Sequence, residues 1–135
     1  MAFLIDTSVI VNFLRGKQGS DILWREISGK GDLFISIITK AELLYGTYRS
    51  GDPDAEKKKV LDLISDFSIG VAPLNDDTID LYANIKARLK KAGKRLDEFD
   101  LLIGATAVAS RSVLVTDNQK HFRRFPGLKL YPAVS

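Results

Sequence analysis

Four acidic residues, Asp6, Glu42, Asp100 and Asp117, stand where carboxylates can act together. Each adjoins an apolar segment: Leu4-Ile5-Asp6, Glu42-Leu43-Leu44, Asp100-Leu101-Leu102-Ile103 and Leu114-Val115-Thr116-Asp117. The remaining composition narrows the chemistry available to them. The chain holds no Cys and a single His, His121, which excludes thiolate zinc sites, iron–sulfur clusters, cysteine nucleophiles and multi-histidine metal centres. Carboxylates that converge without a neutralising group repel one another and raise one another's pKa values. A hard divalent cation relieves that repulsion; Mg2+ or Mn2+ takes oxygen ligands and completes its shell with water and substrate phosphates. One such ion, or two about 4 Å apart, can stabilise the attacking and leaving oxygens of a phosphodiester. The implied chemistry is hydrolysis of a nucleic-acid backbone.

Short apolar runs at Phe3–Ile5, Leu33–Ser36, Ile69–Ala72, Val113–Thr116 and Leu128–Tyr131 read as buried strands. Helical patterns fill the intervals: Val9–Leu14, Asp21–Ile27, Thr39–Tyr48, Ala55–Phe67, Asp76–Ala92, Glu98–Ser110 and a last turn near Asn118–Arg124. Strands alternating with helices predict an α/β fold, an open, mostly parallel sheet of about five short strands with helices on both faces. In such sheets ligands bind beyond the carboxyl ends of the strands. Asp6 and Asp117 directly follow strands and are expected at that edge. Glu42 is expected in the first turn of the helix after the second strand, where Thr39 and Glu42 match a capping box, and Asp100 in the first turn of its own helix. Taken singly, Asp6 reads as a helix cap, Asp100 as an acid meeting a helix dipole and Asp117 as a turn residue. Their joint placement favours a shared site. Thr7, Ser8 and Thr116 could orient ligands by hydrogen bonding; either or both of Asp97 and Asp100 could face the site, and Asn118 could take part instead of Asp117.

At 135 residues, with 45% hydrophobic and 27% charged residues, the chain has the size and composition of one globular domain. Residues 1–85 carry 9 Lys or Arg against 13 Asp or Glu, whereas residues 86–135 carry 11 against 4. A basic C-terminal third beside an acidic site suits a polyanionic partner. The start of the chain lacks the pattern of a signal peptide, and the longest mostly apolar run, Leu101–Ala109, is too short to span a bilayer. The expected location is cytoplasmic. Trp24, Tyr45 and Tyr48 are expected in the core, with an apolar groove for a partner helix as the alternative, and His121 at the surface.

Four segments in order, Leu4-Ile5-Asp6-Thr7-Ser8-Val9, Ile38-Thr39-Lys40-Ala41-Glu42-Leu43-Leu44-Tyr45-Gly46, Phe99-Asp100-Leu101-Leu102-Ile103-Gly104-Ala105 and Leu114-Val115-Thr116-Asp117-Asn118, with His121-Phe122 after them, resemble the PIN-domain ribonucleases. The likeness extends to the VapC-type toxins of toxin–antitoxin pairs and covers the whole chain. It implies a single PIN-like domain over residues 1–135. It implies that Asp6, Glu42 and Asp100 are metal-binding carboxylates, with Asp117 at a more variable fourth position. It further implies Mg2+- or Mn2+-dependent cleavage of RNA, a homodimer, and inhibition by a small cognate antitoxin. Gly104 stands where that family more often has Ala.

Two other carboxylate chemistries fit less well. A phosphatase of the haloacid-dehalogenase kind expects a second Asp where this chain has Ser8, and a signalling receiver domain expects adjacent acids after the first strand. The alternative of a different class is a non-catalytic RNA-binding module of PIN-like fold, which would hold RNA equally well without a divalent ion.

Overall fold

The computed structural model describes residues 1–131. Its elements run β1 (Ala2–Ile5), α1 (Thr7–Leu14), α2 (Ser20–Ser28), β2 (Asp32–Ser36), α3 (Ile37–Tyr48), α4 (Pro53–Asp66), β3 (Gly70–Ala72), α5 (Asp76–Lys91), α6 (Glu98–Ala109), β4 (Val113–Val115), α7 (Gln119–Phe122) and β5 (Leu130–Tyr131). The five strands form one parallel sheet in the order β3-β2-β1-β4-β5.

β1 is central because its residues are apolar on both sides. Phe3 and Ile5 join a cluster with Val9, Ile10, Trp24, Ile27, Ile35, Val60 and Leu63, which brings α1, α2 and α4 onto one face of the sheet. Leu4 points the other way, into a cluster with Ile103, Ala107, Leu114 and Phe122 under α6. Each such fully buried side chain contributes roughly 1.5–3 kcal/mol. A third cluster, Ile85, Leu89, Leu101, Ala105 and Phe125, fastens α5 to the outside of α6. The second helix layer explains why α6 is apolar around most of its circumference. Among the described residues, no helix is long and apolar enough to cross a membrane.

Two local expectations are corrected. The capping box does not form: Ser36, not Thr39, caps α3, its hydroxyl accepting from the backbone N–H of Ile38 at 2.8 Å. The helix therefore starts at Ile37, and Glu42 lies in its second turn rather than its first. Tyr45 and Tyr48 are exposed, at 64% and 65%, whereas Trp24 is buried in the core as expected.

Gly104 has a packing reason. A Cβ built there would lie 2.7 Å from the ring of Phe125, itself buried between α5 and α6. Gly104→Ala should therefore lower stability by about 1–3 kcal/mol through overpacking. Urea denaturation would check this; an unchanged midpoint would show that Phe125 shifts freely.

Candidate metal centre

The chain order reverses between β1 and β4. β1 connects onward to β2 on one side, and β4 later pairs along its other edge. This is the switch point at which parallel sheets open to ligands. The backbone N–H of Asp6 donates to the carbonyl of Val115 at 2.8 Å, tying the corner after β1 to the end of β4.

The Asp6 side chain is 3% exposed. Its Oδ1 accepts from the N–H of Thr7 at 2.9 Å, capping α1. Its Oδ2 accepts from the hydroxyls of Thr116 at 2.7 Å and Ser8 at 3.2 Å. Burial nevertheless pushes its pKa above the usual carboxylate value, with Asp117 adding like charge, and these hydrogen bonds offset only part of the shift.

Glu42 reaches the same place from α3. Its Oε1 accepts from the Thr7 hydroxyl at 2.7 Å, and that hydroxyl also lies 3.0 Å from the hydroxyl of Thr39. Thr7 thus links the acid of α3 to the first turn of α1. Partial burial, then the charges of Asp6 and Asp97, raise the Glu42 pKa. Asp100, the third residue of α6, carries the largest shift. Burial first, then the charges of Asp6, Asp97 and Glu42, push it up to about 6, and nearby His121 offsets this only in part.

Asp97 caps α6, accepting from the N–H of Phe99 at 3.2 Å, and remains exposed. Asp117 is also exposed, and its carboxylate accepts from the side-chain amide of Asn12 on α1. Asn118 precedes α7, and its backbone N–H donates to the Thr116 hydroxyl at 3.0 Å. Asp6, Glu42 and Asp100 therefore share one field, with Asp97 near the last two and Asp117 near Asp6.

Asn12 was not anticipated from the sequence, although it is the one amide in the otherwise apolar second half of α1. His121 lies at the surface as expected, close enough to act on Asp100.

Among the described residues, the ion pairs join Lys30–Glu26, Lys58–Asp62, Lys59–Glu56 and Lys86–Glu98, and none includes Asp6, Glu42, Asp97, Asp100 or Asp117. No three acidic or histidine side chains among those residues are grouped tightly enough to enclose an ion as they stand. The donor set still fits a hydrated Mg2+ or Mn2+. All its members are oxygens, and Mg2+ typically keeps several waters and binds through one or two carboxylates.

The PIN-domain family model matches residues 3–128. The chain belongs to the PIN-domain family. This PIN domain is 30% identical over 129 residues to Ribonuclease VapC2 of Haemophilus influenzae, covering 96% of each chain. It is also 30% identical over 130 residues to Ribonuclease VapC1 of Methanocaldococcus jannaschii, covering 95% of this chain and 85% of that protein. In three dimensions it is similar to a chain of VapBC2 from Rickettsia felis, a structure bound to a DNA fragment from the promoter. That match has a TM-score of 0.89 at 25% identity and covers 96% of this chain and 97% of the other.

The Asp100 shift has a measurable consequence. Its folded pKa of about 6 exceeds the ordinary 3.8, so the folded state binds the proton more tightly than the unfolded chain. That contribution to stability is present at low pH and is lost as the pH rises through the folded value. In EDTA, the parent should therefore lose stability relative to Asp100→Asn between about pH 4 and about pH 6, the interval between the unfolded and folded values. Parallel urea profiles for the two proteins would contradict the shift.

Proposed function

We propose that this protein is a metal-dependent endoribonuclease that acts as the toxin of a type II toxin–antitoxin pair. The observation that carries the reading is the grouping of buried Asp6 with Glu42 and Asp100, all with raised pKa values, where no Lys or Arg among the described residues pairs with them. Relatives named ribonuclease VapC, and fold neighbours solved as VapBC complexes, support the activity and a small antitoxin as partner.

In this reading Asp6, Glu42 and Asp100 hold one or two Mg2+ or Mn2+ ions, with Asp117 assisting. The bound cation would supply Lewis-acid activation of water and neutralise charge at the phosphodiester. The chain's own residues prepare that site. Thr116, Ser8 and the Thr7 N–H fix the Asp6 carboxylate, and the Thr7 hydroxyl fixes Glu42. Asp97 holds the start of α6 so that Asp100 faces the same field, and Asn118 secures the Thr116 hydroxyl from the other side.

The basic run Lys86–Arg95 leads through α5 into the loop before Asp97 and would attract the RNA strand. Residues 1–135 would work as a single PIN-like domain, paired as a homodimer. A chain without cysteine suits the reducing cytoplasm, where we place it.

The test is incubation of the purified protein with structured and single-stranded RNAs in Mg2+, in Mn2+ and in EDTA, beside Asp6→Asn. Cleavage should require the metal and fall at least ~100-fold in the variant, the scale on which loss of an electrostatic contact to a transition state is felt. Undiminished cutting by Asp6→Asn would overturn the assignment. RNA binding without cutting in any metal would instead establish a non-catalytic module.

A further inference from the structure

A cavity of about 210 Å3 opens beside Asp117, whose charge acts on Asp6. Its walls are Val9 and Asn12 from α1, Lys17 to Gly19 from the α1–α2 loop, Ser20 and Leu23 from α2, and Asp117. It is smaller than the roughly 300–1,000 Å3 of pockets for drug-sized ligands. That volume suits one base or one phosphoryl group rather than a complete cofactor.

The lining sorts by chemistry. Val9 and Leu23 supply an apolar wall, Asn12, Gln18 and Ser20 supply amides and a hydroxyl, and Lys17 supplies the one cation. Asp117, the single acid, is engaged by the Asn12 amide. Lys17 is exposed and belongs to none of the ion pairs among the described residues. Its backbone is pinned from both sides: its N–H donates to the Asn12 carbonyl at 2.9 Å, and its carbonyl accepts from the Ser20 N–H at 3.1 Å. Gly16 and Gly19 take positive φ on either side, at 69° and 88°, which lets so short a loop turn back on itself. A cation is thus presented from a fixed loop at the edge of the acid group, over a cavity with hydrogen-bonding and apolar walls.

We propose that this cavity holds the nucleotide of single-stranded RNA next to the cleaved linkage, Lys17 contacting its phosphate and Gln18 and Ser20 its base edge. The inference rests on the ribonuclease reading of the adjacent acids. Unpaired bases recognised in single-stranded RNA are taken up by apolar contact and edge hydrogen bonds, which is the mixture this lining offers.

Fluorescence anisotropy with a short labelled RNA of mixed sequence, in an Asp6→Asn background, tests the phosphate contact. Lys17→Ala should weaken binding about tenfold and reduce the slope of log affinity against log salt by about 0.7, one phosphate contact on a single strand. An unchanged affinity and slope would overturn the proposal. So would an equal loss from Lys129→Ala, an exposed lysine at the amino edge of the sheet that belongs to none of the ion pairs among the described residues and reports only general attraction of charge.

In the cleaving parent, Gln18→Ala should flatten base preference at one position beside the cut in a randomised RNA pool, and an unaltered preference would refute the base contact. If the parent cuts no RNA, the ribonuclease reading falls separately, and the anisotropy comparison still decides for or against the cavity.

Discussion

A carboxylate placed almost out of reach of water organises this end of the molecule. Asp6 closes the corner where β1 ends, its backbone tied to β4 and its side chain to hydroxyls from α1 and from the residue after β4. A buried charge is costly unless it is hydrogen-bonded and neutralised, and here only the first condition is met by the protein. Three donors hold the carboxylate in place without cancelling its charge, so burial still raises its pKa. Glu42 and Asp100 arrive at the same field from different helices and enlarge the imbalance. The fold tolerates this because the sheet behind Asp6 is over-determined: Phe3, Leu4 and Ile5 are fully buried, and two helix layers close on them.

The imbalance also explains the division of labour in the chain. Neutral hydroxyls and amides, from Thr7, Ser8, Thr116 and Asn12, do the positioning around the acids. Among the described residues, no Lys or Arg forms an ion pair with Asp6, Glu42 or Asp100. A Lys or Arg paired directly with Asp6 would have stabilised the fold and cancelled the field that an exogenous cation answers. Stability is thus given up at the switch point and recovered in the apolar clusters, a trade common at functional sites.

Much of this was legible in the sequence because the strands are apolar runs too short for helices, with Asp6 and Asp117 at the ends of two of them and Glu42 and Asp100 near the starts of helices. The parallel five-stranded sheet and the grouping of Asp6, Glu42 and Asp100 came through. The start of α3 did not, since Ser36 and Thr39 both precede suitable donors and the pair Ile37-Ile38 reads equally well as more strand. That error moved Glu42 by a turn but not out of the site, because Thr7 reaches across to it. Tyr45 and Tyr48 misled for a different reason: aromatic residues are usually buried, yet the inward face of α3 is filled by Thr39, Leu43 and Thr47. The Asn12–Asp117 contact and the cavity beside it depend on how a five-residue loop folds back, and residue spacing does not carry that information.

The central claim is that these carboxylates are completed by a divalent cation, and direct binding of Mn2+ tests it without reference to any substrate. Titration of the purified protein with Mn2+, followed by the paramagnetic signal of the free ion, should reveal one or two sites that are lost or greatly weakened in Asp6→Asn and in Asp100→Asn. The same titration should raise the unfolding temperature of the parent and not of the variants, as expected for an ion that binds only the folded state. No Mn2+ bound by the parent, or equal binding by both variants, would contradict the account.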